Sequence, residues 1–132
     1  MGLDQLAFAV PTDAVPTMAF GFKVPSYVSR ERLQEWRNHW NLEEWMARLY
    51  RKKGGRQQPF NEPMRLVEED LDALEQAIQA KELYVETNEG SRRKRLDAHA
   101  ANIYWRELDE SFLPKARLAL KRDMAIVYTS WW

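Results

Sequence analysis

The 132-residue chain has the length of one domain, and its 45% hydrophobic and 30% charged residues belong to a globular protein, not a disordered one. Lys plus Arg and Asp plus Glu cancel at 20 each, so no global field draws the chain to nucleic acid or an anionic membrane, and a neutral total permits a homo-oligomer such as a dimer. The absence of cysteine excludes disulfides, thiolate metal sites and cysteine nucleophiles and fits a reducing cytoplasm, while the apolar run from Leu6 to Val10 is too short for a signal-peptide core or a membrane span.

Leu6, Phe8 and Val10 share one parity near the N-terminus, and Met18, Phe20 and Phe22 repeat it after a loop holding Pro11 and Pro16. The two runs predict a hairpin-like pair of strands. A first helix is expected from Ser29 as N-cap, with Leu33, Trp36 and Trp40 at i, i+3 and i+7. Asn41 breaks it. Asn41 with Glu44 matches a capping box and Trp40 with Trp45 a hydrophobic staple, opening a second helix that carries Leu42, Trp45, Met46, Leu49 and Tyr50. Arg51, Lys52 and Lys53 complement its C-terminal dipole before Gly54 and Gly55 stop it.

Met64 to Val67 reads as a short edge strand, and Glu68, Glu69 and Asp70 open a third helix with Leu71, Leu74 and Ile78 as its stripe. Ser91 starts a further helix carrying Leu96, Ala100, Ile103 and Tyr104, interrupted at 109–111. Because Pro114 is tolerated in a first turn, another helix is placed from Ser111 to Arg122. Met124 to Trp132 is β-branched and aromatic, a final strand. The expectation is a single α+β domain over residues 1–132. Its small antiparallel sheet, built from the N-terminal strands plus the C-terminal strand, packs against four or five helices. Trp131 and Trp132 are expected to be docked, not a loose tail.

Met1-Gly2-Leu3-Asp4, Trp36-Arg37, Leu42 and Trp45-Met46 together resemble a group of small bacteriophage-encoded proteins of uncharacterised function. That group typically begins M-G-L-D, carries a Y-W-R-K segment followed by L-H-G-W, and often ends in aromatic-Ser-Trp, as Tyr128-Thr129-Ser130-Trp131-Trp132 does here. Glu35, Asn38 and Glu43 stand where the group has tyrosine, lysine and histidine. The resemblance implies a phage origin and a host-cytoplasm setting, and it brings no activity with it.

Trp36, Arg37 and His39 are the candidates for binding a ligand or partner. An arginine beside a tryptophan can clamp a phosphate or carboxylate bidentately, although Arg37 can equally pair with Asn41 or Glu44. Trp36, Trp40 and Trp45 at helical spacing read more readily as core. His39 and Glu43 have the i, i+4 spacing of a metal pair, but the break at Asn41 spoils it and His99 adds no third ligand, so no metal site is assigned. Arg92, Arg93, Lys94 and Arg95 are the one concentrated charge. With Tyr84, Tyr104 and Trp105 near, they suit nucleic acid; as a docking patch for an acidic protein or a solvated helix start they are explained equally well.

Five glycines form no phosphate-cradling loop, dinucleotide fingerprint or nucleophile elbow, and a helix N-terminus accounts for Glu68, Glu69, Asp70 and Asp72. No catalytic residue and no cofactor is assigned. The leading expectation is a phage-encoded accessory protein that binds and inhibits or redirects a host protein without catalysis, as the surplus of Trp, Tyr and Arg suits an interface. Two alternatives stand beside it: nucleic-acid binding through residues 92–95, and a small-molecule or nucleotide binder or enzyme with a pocket at Trp36 and Arg37.

Overall fold

The computed structural model describes residues 2–58, 60–84 and 92–132, with side chains of the last stretch from residue 100 onward. Strand β1 (Asp4–Pro11) leads through a short 3-10 turn to β2 (Glu31–Arg37), then helix α1 (Trp40–Lys52), β3 (Met64–Leu66), α2 (Glu68–Gln79), α3 (Arg92–Lys121) and β4 (Met124–Trp131). The four strands form one sheet in the order β2-β1-β4-β3, antiparallel at every pairing. The helices pack on its inner face. There Ala7, Ala9, Trp36, Ile126 and Tyr128 meet Leu42, Met46, Leu71, Leu74 and Phe112 in the main core.

The outer face is covered over half its length. Phe8, Val10, Ala125 and Val127 form a second apolar cluster with Val15 and Phe22, which come from the segment between β1 and β2. That double coverage explains why β1 is nearly continuous in burial from Ala7 to Val10 instead of alternating.

The α+β class, the antiparallel sheet, the edge strand β3 and the final strand β4 agree with the sequence pattern, and so does α2. Asp70 secures the start of α2 by accepting the Val67 N–H at 2.9 Å and pairing with Lys53. The helix count is three among the described residues, fewer than the four or five expected, and two readings account for the difference.

The stretch expected as a helix from Ser29 to Trp40 holds strand β2 (Glu31–Arg37) instead. The register between β1 and β2 shifts between Ala7 and Phe8, where Leu33 is the extra residue of a bulge. The bulge reverses the side-chain parity, so Leu33 and Trp36 reach the core three residues apart and imitate helical spacing. The second difference lies in α3, which runs through the expected break at 109–111 with Pro114 inside it. An interior proline costs about 3 kcal/mol. Burial of Asp109, Phe112, Leu113 and Ala116 on one stripe holds the helix together across that point.

Met18 to Val24 is likewise not a strand of the sheet, since only Phe20 makes a bridge, to Met64. Gly21 turns at φ +75°, and Arg65 N–H donates to the Ala19 carbonyl at 2.7 Å, so the backbone serves a loop that lays Phe22 on the outer face. Helix α1 begins at Trp40, one residue before the expected break, with His39 as N-cap and no side-chain cap. Asn41 does not cap it. Its amide donates to the Leu83 carbonyl at 2.8 Å instead.

Candidate functional site

Where β1, β2, α1 and α3 meet on the inner face, polar side chains converge on Asp109. Trp36 Nε1–H donates to Oδ1 at 2.9 Å, His39 Nε2 lies 2.8 Å from Oδ2, and the Tyr84 hydroxyl donates to the same oxygen. His39 and Asp109 are each 1% exposed. The imidazole stacks on Trp105 with centroids 5.0 Å apart and planes 9° from parallel. Burial and the Asp109 carboxylate push the Tyr84 phenol far above its ordinary range, so it stays a donor.

Gln5 ties this cluster to the backbone. Its Oε1 accepts the His39 N–H at 2.9 Å, and its Nε2 lies 3.0 Å from both the His39 carbonyl and the Tyr128 hydroxyl. A side chain on β1 thus accepts the N–H of the N-cap residue of α1, the task the N3 side chain of a capping box performs elsewhere. Asn38, which adopts φ +63°, completes the junction by accepting the Leu3 N–H at 2.8 Å.

A second limb runs from Tyr128 to Glu43. The Tyr128 hydroxyl donates to Glu43 Oε1 at 2.9 Å and Ser130 Oγ to Oε2 at 2.7 Å. Desolvation raises the Glu43 carboxyl above the ordinary glutamate range, against the pull of those two donors. Tyr128 is raised well above its own range by burial and by the charge of Glu43. Among the described residues no buried side-chain nitrogen or oxygen lacks a hydrogen-bond partner. Among the described residues the network is closed, with its histidine–carboxylate pair sealed from solvent.

Of the three candidates from the sequence, Trp36 and His39 are brought together on Asp109. Arg37 is not with them. Alternation along β2 sends it to the outer face, where its side chain is 75% exposed and its Nε lies 3.8 Å from Asp4 Oδ1. Arg92, Arg93, Lys94 and Arg95 occupy the first turn of α3, and their side chains lie outside the described residues, as does that of His99. Of the aromatics considered for stacking with them, Tyr84 and Trp105 are engaged with Asp109 and His39, whereas Tyr104 is exposed. In the acidic start of α2, Asp70 caps the helix and Asp72 pairs with Arg117.

Two features were not found by reading the sequence. Asp109 was placed at a helix break, although it falls at i with Phe112, Leu113 and Ala116 at i+3, i+4 and i+7, an acid in an apolar stripe. The other is an aromatic corner at the end of β4. Trp40, Trp131 and Trp132 are 50%, 52% and 42% exposed, and the Trp40 and Trp132 rings meet edge to face at 6.1 Å. A cavity beside them is lined by Asn61, Ser130, Trp131 and Trp132. The expected docking of the C-terminus holds for its backbone, since Trp131 pairs with Asp4, while both indoles stand half in solvent. Trp40 is therefore not stapled to Trp45 in the core.

Among the described residues no group of three or more His, Asp or Glu is placed to hold a metal ion, and no helix is long and apolar enough to cross a membrane. Comparison with protein-family models, curated proteins and solved structures returned no match.

Proposed function

We propose that this protein acts by binding another protein through the aromatic corner of Trp40, Trp131 and Trp132. The observation that carries the reading is the exposure of three large indoles, two of them in direct ring contact, in a chain with a well-filled core. Tryptophan is the residue most enriched at interface hot spots, because it buries a large flat area at little cost in side-chain entropy. A monomer gains nothing from leaving such rings together in water. The polar groups with chemical potential, His39, Asp109, Glu43 and Tyr128, are bound to one another inside, which supports a non-catalytic role. In the setting that the sequence resemblance implies, this is a phage-encoded accessory protein and the partner is a host protein that it inhibits or redirects.

The test is affinity capture from host lysate with the wild type and with a Trp131→Ala/Trp132→Ala variant, each checked for folding by circular dichroism. The expected result is one stoichiometric protein recovered by the wild type and lost by the variant. Recovery of the same protein by both would overturn the assignment of the corner. Light scattering on the purified chain identifies the case in which the covering protein is a second copy of itself.

A further inference from the structure

We infer that the open half of the outer sheet face receives an extended acidic segment of the partner protein, with an apolar side chain seated at Trp131. The inference rests on the binding role proposed above and names the chemistry of what is bound. Leu6 pairs with Thr129 and Asp4 with Trp131, so these four side chains share the outer face with Phe8 and Val127. The segment between β1 and β2 covers Phe8 and Val127, and Leu6 packs only against the edge of that cluster; Leu6 and Thr129 are both partly buried.

At that boundary lies a cleft lined by Phe8, Lys23, Val24, Arg30, Pro63 and Thr129, which holds two cations and no acid. Arg32, Arg48, Arg117 and Arg122 each pair with a carboxylate. Arg30 and Lys23 form no ion pair among the described residues. Arg30 is nonetheless held in place, because its Nη2 donates to the Val24 carbonyl at 2.9 Å and its guanidinium carbon lies 5.0 Å from the Phe8 ring centre. A fixed guanidinium with donors remaining suits a carboxylate, since little freedom is lost on pairing. Trp131 and Thr129 are two residues apart on one strand, about 7 Å. Alternate side chains of an extended peptide have the same spacing, so an apolar residue at Trp131 sets a carboxylate two residues on at the cleft.

Fluorescence anisotropy with a dye-labelled capped peptide, Leu-Thr-Glu-Thr-Glu-Thr, and its counterpart with lysine for glutamate tests this. The acidic peptide should bind the wild type in a salt-dependent way, and Lys23→Glu should weaken it about tenfold. Lys23 is exposed, so that variant keeps its fold, whereas the Lys23→Glu/Arg30→Glu variant should come to prefer the lysine peptide. Equal binding of the two peptides, or no binding of either, overturns the inference. Loss with Trp131→Ala but not with Lys23→Glu also overturns it, and leaves the aromatic corner standing. Conversely, failure of lysate capture with the peptide results intact removes the role assigned to the corner and not the acidic specificity of the cleft.

Discussion

At the junction around Asp109, titratable groups and an indole are sealed in the core; at the end of β4, indoles stand in water. The usual sorting would put these the other way round. Inside, Gln5, Trp36, His39, Tyr84 and Asp109 join four elements through bonds that leave no buried partner unmet. Outside, Trp40 meets Trp132 edge to face, and Trp131 stands beside them half in solvent. The difference teaches where each kind of residue does its work. The polar network fixes one geometry for the sheet end, and that geometry presents the aromatic corner.

The comparison breaks most severely at Asp109. Asp109→Ala leaves three donors from three elements without their acceptor inside the core. Losing one member of such a buried cluster costs on the order of 3–5 kcal/mol, which in a chain of this size lowers Tm by roughly 10–20 °C. Asp109→Asn keeps the shape and one acceptor oxygen, so it should lose about half as much. Thermal and urea denaturation measure both. A loss below about 1 kcal/mol for the alanine variant would mean that the network is incidental to stability.

The way these two regions could be read from the sequence follows from the same contrast. Local signals sufficed for α2, whose acidic start and apolar stripe are self-contained, and for β4, whose β-branched and aromatic residues fit a central strand. They failed at β2, where a bulge placed Leu33 and Trp36 three apart on one face. They failed again across Pro114, where tertiary packing outweighs a local helix breaker. His39 was singled out, but its partner Asp109 lies 70 residues away, and no spacing rule connects them. Trp40 meets Trp132 from the far end of the chain, again a contact without a local signature.

A smaller effect separates the two limbs of the interior network. Burial raises the Glu43 carboxyl, so the folded chain holds that proton more tightly than the unfolded chain does. Between the ordinary glutamate value and the raised one, unfolding releases a proton, and stability falls as pH rises through that window. Glu43→Gln retains an acceptor for the Tyr128 hydroxyl and abolishes this slope. Urea denaturation between mildly acidic and neutral pH should show the wild type losing stability with rising pH relative to the variant. Parallel curves would show that Glu43 is no more costly to ionise in the fold than in the open chain.

The smallest stability change is expected at the aromatic corner, and it carries the functional weight. Trp131→Ala/Trp132→Ala removes half-exposed rings and one edge-to-face contact, worth about 0.5–1.5 kcal/mol beyond the area buried. The shift in Tm should therefore be a few degrees, well short of that for Asp109→Ala. Partner capture should show the reverse order, complete loss for the tryptophan variant against retention by any Asp109→Asn protein that remains folded. If the double tryptophan variant instead unfolds as readily as Asp109→Ala, the corner is part of the core's support. Its exposure would then be a by-product of how the sheet ends, with no need of a partner to explain it.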